Sequence, residues 1–380
     1  MAFFDWYADI KLRLAPFRKR TDFECVKTVA VIDRLADRAY DVDSGADCKG
    51  RFGWTVGHNT ENYMARAEKY LTALEDGIMP LKGQFAEPGM ALVDHTFAEK
   101  DGKLHVFYNR AHIGYEWSER FVDTFGHAVS EDLVNWKVEP VCLTAEQGGP
   151  DCHQIWSPGI VCRDGVYYMY YTGVNRNVAQ CICLATSTDL YDWKRYDQNP
   201  VVVPGKWYSW DASRWSDCRD SHVFTDEDGT AYMYYCTAVD GEGGKTRTAM
   251  GTASSRDMLH WEDRGCFSLQ DCPLSPESPF VIQHEGKYYL FYTRVGSGTA
   301  YAVSDDPLTG WRDMGVIMAK DPADGPRTPA NVPSCSEVFT FKGQWYISCA
   351  ERQPGCEQYL EIFRFRWNSD GTVTVGERVE

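Results

Sequence analysis

The fold is decided by a repeated stretch whose first copy reads ALVDHTFAEKDGKLHVFY, residues 91–108. Asp94 stands in a short apolar run, an Asp-Gly turn signal follows, and a second run alternates apolar and polar residues, as in a β-hairpin. The later copies are WSPGIVCRDGVYYMYY (156–171), DSHVFTDEDGTAYMYY (220–235), ESPFVIQHEGKYYLFY (277–292) and CSEVFTFKGQWYIS (335–348). Copies that return about every sixty residues indicate a repeat architecture.

A second signature follows four of these hairpins. It consists of a small residue, a Ser or Thr, an Asp and then a Trp, and the four Trp residues are Trp136, Trp193, Trp261 and Trp311. We expect the Asp to accept hydrogen bonds from backbone amides in a turn, and the Trp to open an outer strand and pack on the next unit. Each unit then has four strands, which is a propeller blade. The sequence therefore predicts an all-β fold, a five-bladed β-propeller over residues 88–380.

Residues 1–87 have a different pattern. Val29, Ile32, Leu35 and Ala36 recur at helical spacing, and a second such run follows between residues 63 and 74. We interpret this segment as an N-terminal helical extension. It could pack on the propeller, cover the mouth of a site or mediate homo-oligomer formation.

Composition excludes several classes of partner. The formal net charge is -16 and the pI is about 5.0, which is unsuited to nucleic acid because neutralising phosphates needs clustered Lys and Arg. The sequence contains no run of eighteen apolar residues, so it predicts no membrane span. The fourteen cysteines lack zinc-type spacing, so we expect no metal and no cofactor. Free thiols and an N-terminus without a secretory signal predict a cytoplasmic protein.

The residues that open the five hairpins should form a ring, because the inner strands of a propeller run beside its central axis. Counted back from the turn glycines, these residues are Asp94, Trp156, Asp220, Glu277 and Cys335. The count is eight residues in the first and last copies and nine in the middle three. Three carboxylates around one funnel repel each other, and a pair of carboxylates in a cleft is what glycoside hydrolysis requires.

At these residues the chain resembles the five-bladed propeller glycoside hydrolases of families 32, 43 and 68. The segments KLHVFYN (103–109) and FGHAVSEDLVNW (125–136) are similar to first-blade segments of family 32. The resemblance implies that Asp94 is the nucleophile and that Glu277 is the acid/base. It also implies that Asp220, in a match to an Arg-Asp-Pro motif with Arg219, stabilises the transition state.

The neighbours of the three carboxylates depart from the family 32 motifs. His95 follows Asp94 where that family has Pro, Ser221 follows Asp220 in place of Pro, and Ser278 follows Glu277 in place of Cys. These departures therefore bear on sugar specificity more than on glycosidase chemistry. Family 43, which inverts and acts on arabinofuranosides and xylosides, is similar at the same three positions.

Further residues around the mouth are candidates for contacts with an oligosaccharide substrate. Arg219 has a planar fork that can bind carboxylates or hydroxyls, Trp156 would suit the face of a sugar, and loops that rim a mouth carry function. The candidate substrate-binding residues are Arg219, Trp156, Asn109, His153, Gln154, His95 and Glu337.

The sequence therefore predicts an exo-acting hydrolase of terminal furanosidic residues in small oligosaccharides, resembling fructofuranosidases. Three alternatives stay open: an inverting arabinofuranosidase or xylosidase, a carbohydrate-binding propeller without catalysis, and a phosphorylase. A phosphorylase would need a basic phosphate pocket beside the acids, where Arg219 is the obvious cation.

Overall fold

Four of the blades are antiparallel sheets whose strands follow each other in chain order. We analysed a computed structural model, which describes residues 3–21, 23–43, 60–76, 84–87, 90–112, 122–205, 208, 210–240, 246–269, 276–319, 332–352 and 358–380. The first blade comprises β2 (Met90–Lys100), β3 (Lys103–His112), β4 (Thr124–Ser130) and β5 (Trp136–Thr144). The second comprises β6 (Gln154–Arg163), β7 (Val166–Val174), β8 (Gln180–Ser187) and β9 (Lys194–Arg195).

The remaining blades follow the same plan. The third comprises β10 (Cys218–Thr225), β11 (Ala231–Asp240), β12 (Thr246–Ser255) and β13 (Glu262–Phe267). The fourth comprises β14 (Pro276–His284), β15 (Lys287–Arg294), β16 (Gly298–Ser304) and β17 (Arg312–Met318). The fifth comprises β18 (Pro333–Ser334), β19 (Val338–Phe341), β20 (Gln344–Arg352), β21 (Gln358–Trp367) and β22 (Val373–Arg378). The predicted five-bladed propeller is confirmed.

The fifth blade is completed by a strand from the other end of the chain. The short strand β1 (Gln84–Phe85) pairs with β21, beside β22 on the same neighbour. Glu87 then accepts hydrogen bonds from the Tyr108 hydroxyl and the Arg110 Nε, both at 2.8 Å. Residues 84–87 therefore join the last blade to the first, although they precede the predicted boundary at residue 88, which lies outside the described residues.

The turns before the Trp residues have the geometry that the second signature predicts. In the first blade Asp132 Oδ1 accepts from the amides of Val134 at 2.9 Å and Asn135 at 2.7 Å. Asp189, Asp257 and Asp306 accept equivalent bonds in the next three blades. Burial acts to raise the pKa of Asp132, but the hydrogen bonds that its carboxylate accepts outweigh burial and lower that pKa. The turn fixes the angle at which each outer strand begins.

The N-terminal extension is helical, as predicted. It contains α1 (Phe3–Leu14), a 3-10 turn (Phe17–Lys19), α2 (Phe23–Asp43) and α3 (Thr60–Glu75). Apolar side chains from all three α-helices, among them Ile10, Ile32 and Leu71, form one buried cluster that also takes in Ala86 and Tyr359 of the propeller. The extension therefore packs on the fifth blade. Among the helices that the structure describes, none is long and apolar enough to cross a membrane.

Candidate active site

Five residues, one from each blade, form a closed ring around the propeller axis. Ser157 Oγ lies 2.9 Å from Asp94 Oδ2 and 2.7 Å from Asp220 Oδ1. The Ser278 amide donates to Asp220 Oδ2 at 3.2 Å, and the Ser278 hydroxyl donates to Cys335 Sγ at 3.3 Å. The Cys335 thiol closes the ring by donating to Asp94 Oδ1 at 2.7 Å. Two carboxylates and three small polar side chains thus share one hydrogen-bonded circuit.

Backbone irregularities turn these side chains toward the axis. Ser157, Asp220, Ser278 and Cys335 all have positive φ angles, between 48° and 57°, a region that costs free energy for any residue with a Cβ. The pairing of inner and second strands shifts register at the same places. These shifts lie between Leu92 and His95, Trp156 and Gly159, Arg219 and His222, and Glu277 and Phe280. Strained backbone that recurs at equivalent positions is typical of a functional site.

The ring corrects two of the equivalences that the sequence predicted. Trp156 and Glu277 stand one residue before the ring, and Ser157 and Ser278 take their places. Counted from the turn glycines, the correct offset is eight residues in four blades. It is nine only in the third blade, where the hairpin is longer: five residues separate Thr225 from its partner Ala231. A consistent offset of eight would have identified both serines.

The ring needs a proton on one of its carboxyl groups. A hydroxyl carries a single proton, so Ser157 can donate to Asp94 or to Asp220 but not to both. Burial raises the pKa of Asp220, and the nearby charge of Asp94 adds to this, although Arg219 opposes it. Asp94 also accepts from Asn109 Nδ2 at 2.5 Å and from the thiol of Cys335. Asp220 is therefore the group suited to hold the proton.

Arg219 lies just outside the ring, and acidic side chains surround it. Its Nη2 donates to Glu277 Oε1 at 3.0 Å, its Nη1 donates to Asp217, and its Nε lies 3.7 Å from Asp220. One guanidinium cannot neutralise three carboxylates, so the cluster favours a proton on one of them. The Glu277 side chain is 28% exposed against 9% for Asp220. Glu277 is therefore the carboxyl that faces the open side of the site.

Asn109 positions the ring from its place on β3. Its Nδ2 donates to Asp94, and its Oδ1 accepts the backbone amide of Ser157 at 2.8 Å. The side chain is 1% exposed. Asn109 thus fixes the two neighbouring blades relative to each other at the carboxylate, a role in positioning where the sequence predicted a substrate contact.

His153 and Gln154 are also buried, at the start of β6. Gln154 Oε1 accepts from the Val122 amide and from Trp156 Nε1, both at 3.1 Å. The His153 amide donates to Val174 O at 3.0 Å. Both residues fix the start of the strand that carries Trp156, and of the three only Trp156 is half-buried. Gln154 therefore orients the indole.

His95 and Glu337 lie beyond the ring, in a small cavity that the ring residues also line. His95 Nε2 is 2.7 Å from Ser348 Oγ, and burial lowers the pKa of this imidazole to about 3. Glu337 Oε2 accepts the Phe97 amide at 3.2 Å, and burial raises the pKa of this carboxyl to about 8. Both side chains are suited to be neutral at pH 7, and both line this cavity.

The prediction that the protein binds no metal or cofactor stays a prediction. Within the described residues, no group of three or more His, Cys, Asp and Glu side chains is arranged to hold a metal ion. Cys335 was predicted in the ring, and the structure places it there. Ser157, Ser278 and Asp217 complete the site without having been predicted. The two serines could have been found from the turn offset, whereas Asp217 carries no such signal.

Comparison with known proteins shows a similarity to glycoside hydrolases. Residues 94–273, which run from β2 past β13 through the first three blades, match the family model described as the glycosyl hydrolases family 32 N-terminal domain. A thermostable family-43 glycoside hydrolase of known structure superimposes with a TM-score of 0.61 at 22% identity, covering 77% of this chain and 94% of that one. The fold is therefore the five-bladed propeller found in these hydrolases.

Two relatives of similar sequence match different lengths of the chain. The vacuolar acid β-fructofuranosidase 1 of a Rosa hybrid cultivar is 35% identical over 109 residues, 27% of this chain and 18% of that protein. A xylosidase/arabinosidase of Bacteroides ovatus is 24% identical over 342 residues, 78% of this chain and 98% of that protein. The match spans less than a fifth of the rose protein's length but nearly all of the Bacteroides protein. The predicted resemblance to families 32 and 43 is confirmed.

Proposed function

We propose that the protein is a glycoside hydrolase that releases a terminal furanosidic residue from small oligosaccharides. The observation that carries this proposal is the division of acids between two places: Asp94 and Asp220 in the ring, and Glu277 one step outward on Arg219. Hydrolysis of a glycosidic bond uses a carboxylate on one side of the sugar and an acid on the other. The matched family 32 domain and the fructofuranosidase relative support this choice.

In the proposed reaction the Asp94 carboxylate attacks the anomeric carbon while Glu277 protonates the departing oxygen. Glu277, then ionised, takes a proton from water as that water displaces Asp94 from the sugar. The donors on Asp94, from Asn109, Ser157 and Cys335, hold its oxygens in place. Asp220, whose proton is directed at Ser157, can accept a hydrogen bond from a sugar hydroxyl.

The experiment is a turnover assay on β-fructosides, α-arabinofuranosides and β-xylosides with wild type and Glu277→Gln. We expect Glu277→Gln to lose nearly all turnover, on the order of a thousandfold or more, because a positioned acid contributes about 10²–10⁴-fold and the amide cannot supply a proton. Asp257→Asn, in a turn at the outer end of the third blade, is the matched control. Unchanged turnover in Glu277→Gln would refute the assignment.

A second candidate is an inverting arabinofuranosidase or xylosidase. The observation in its favour is the Bacteroides relative named xylosidase/arabinosidase, which the match covers almost completely. Asp94 would then activate water instead of forming a bond to the sugar. The anomer released first, followed by NMR, separates the two: retention supports the nucleophile, and inversion supports the base.

The same assay addresses the remaining alternatives. Turnover that requires inorganic phosphate would identify a phosphorylase, although Arg219 is already engaged by Asp217 and Glu277. Sugar binding without turnover of any glycoside would identify a binding propeller. An oligosaccharide is the partner in every case.

We also propose that the protein is cytoplasmic and that any self-association uses the helical extension. Among the described residues, Cys181 and Cys183 have their sulfur atoms 4.0 Å apart and form no disulfide, which suits a reducing compartment. On the extension, Leu12 is 73% exposed and Val26 is 38% exposed. Cell fractionation tests the location. Light scattering of wild type and Leu12→Glu tests the surface, since a charge there should dissociate an oligomer.

A further inference from the structure

Gln180 is a fully buried residue at the start of β8, the third strand of the second blade. Its Oε1 accepts the Cys218 amide at 3.2 Å and Arg219 Nη1 at 3.4 Å. A backbone amide and a guanidinium can only donate, so the side chain of Gln180 must present its oxygen to them. Through this oxygen the second blade contacts the arginine of the third blade that binds Glu277.

The contact with Gln180 limits how the guanidinium of Arg219 can turn. Nη1 donates to Asp217 and to Gln180, while Nη2 donates to Glu277 at 3.0 Å. A single acceptor on Nη1 would allow the planar group to swing about that bond, whereas two acceptors on the same nitrogen fix its plane. With the plane fixed, Nη2 is held in the direction of Glu277 Oε1.

The nitrogen of the Gln180 side chain makes this residue costly to bury. Its Nε2 is buried and has no hydrogen-bond partner in the part of the chain that the structure describes, and an unpaired buried N–H group costs free energy. The backbone of Gln180 already holds the connection before β10, because its amide donates to Ser216 O at 3.0 Å and its carbonyl accepts from Trp210 Nε1 at 2.7 Å. The value of the side chain therefore lies in its oxygen.

We propose that Gln180 is a positioning residue that aims the acid Glu277 at the leaving oxygen, acting through Arg219. This inference rests on the proposed function, in which Glu277 protonates that oxygen. The Glu277 side chain is 28% exposed, and its bond to Arg219 restrains its direction on the open side of the site. Proton transfer is efficient only within hydrogen-bond reach, so a small rotation of the carboxyl lowers the rate without preventing sugar binding.

A purely structural role for Gln180 predicts a different result. In that role its oxygen serves only the Cys218 amide, and its loss lowers the stability of the propeller and every activity alike. In the positioning role its loss impairs proton donation, so it falls mainly on substrates whose leaving group needs a proton. A sugar leaves as a strongly basic alkoxide and needs that proton, whereas 4-nitrophenolate leaves readily without it.

The test compares kcat/KM on two glycosides of the sugar that the turnover assay identifies. One has a 4-nitrophenyl leaving group, and the other has a second sugar in that place. Gln180→Met, in the full-length protein, keeps the length of the side chain without the acceptor. We expect about a tenfold loss on the disaccharide and less than about a twofold loss on the nitrophenyl glycoside. Because both substrates are measured on the same protein, partial unfolding would lower both values equally.

Two further variants separate positioning from stability. Gln180→Glu keeps an acceptor at the same place and should return disaccharide activity to within about threefold of wild type. Asn199→Ala is the matched control, because Asn199 holds Leu184 of the same strand β8 through bonds of 2.8 and 2.9 Å. Its loss should lower the unfolding temperature and leave the ratio of the two activities unchanged.

The outcomes separate this inference from the function on which it rests. No loss, or equal losses on both glycosides, in Gln180→Met would overturn the positioning role and leave the hydrolase standing. A Gln180→Glu protein as impaired as Gln180→Met would do the same. A wild type that turns over no glycoside overturns the proposed function, and the positioning role with it.

Discussion

Replacing Ser157 by Ala removes the hydroxyl between the two ring carboxylates and leaves the rest of the ring in place. The lost group lies 2.9 Å from Asp94 and 2.7 Å from Asp220. A hydrogen bond to a charged group contributes about 1.5–3 kcal/mol. If that contribution orients Asp94 for the reaction, its loss corresponds to about a tenfold to hundredfold fall in kcat/KM, because 1.36 kcal/mol is tenfold in rate.

The chain offers a matched control in the other ring serine. Ser278 reaches Asp220 through its backbone amide, so Ser278→Ala keeps that bond and loses only the hydroxyl contact with Cys335. We expect this variant to stay within about threefold of wild type, which corresponds to the weak bond to sulfur that it loses. The assay is kcat and KM on the best substrate, with the greater part of the Ser157→Ala effect in kcat.

Loss of folding could imitate this result, and a glycine variant excludes it. Ser157 has a φ of 48°, which glycine adopts without strain. Ser157→Gly should therefore unfold at a temperature no lower than Ser157→Ala while losing as much activity. The reasoning is refuted if Ser157→Ala retains activity within threefold of wild type, or if Ser278→Ala falls as far.

Three further substitutions test the surroundings of the ring. Asn109→Ala removes the donor to Asp94 and should lower kcat by about tenfold or more with little change in KM; a rise in KM alone would instead support the substrate contact that the sequence predicted. Burial raises the folded pKa of Glu337 from 4.5 to about 8, so the native state keeps a proton that the unfolded chain has lost. The contribution of Glu337 to stability should therefore fall as pH rises from 4.5 to 8, by at most about 1.4 kcal/mol per unit, measured as the difference between wild type and Glu337→Gln. Urea denaturation of Glu337→Gln should lack this slope, and an identical slope would exclude the assignment. Glu87→Ala leaves the Arg110 guanidinium and the Tyr108 hydroxyl without their acceptor, and it should destabilise the propeller by about 3 kcal/mol in the same assay, whereas Glu87→Gln should cost less.

The blades were predictable because their signals are local. An Asp-Gly or Glu-Gly turn between two strand-like runs fixes a hairpin within about sixteen residues, and the Asp that precedes each Trp caps its own turn. Neither signal depends on contacts distant in sequence. The helices of the extension were equally accessible, since Ile32 and Leu35 lie on one apolar face.

The ring was harder to predict because it depends on register. A change of one residue moves a side chain to the other face of a strand. The longer hairpin after Thr225 made an offset of nine look normal, and this placed Trp156 and Glu277 in the ring. The pairing of β1 with the fifth blade could not be predicted either, because a two-residue strand has too little sequence for a pattern.

The one-residue correction also explains how a nucleophile and an acid can coexist at this mouth. Asp94 lies in the ring, where Ser157, Asn109 and Cys335 supply donors that hold its two oxygens in place. Glu277 precedes its own blade's ring residue across a register shift, so it belongs to an outer level that is more exposed and shares Arg219. Had Glu277 stood in the ring in place of Ser278, its carboxyl would have lain beside Asp220, and that contact between two carboxyl groups would have needed a further proton. Separation into two levels gives each acid its own surroundings, as a reaction that assigns different roles to two carboxyl groups requires.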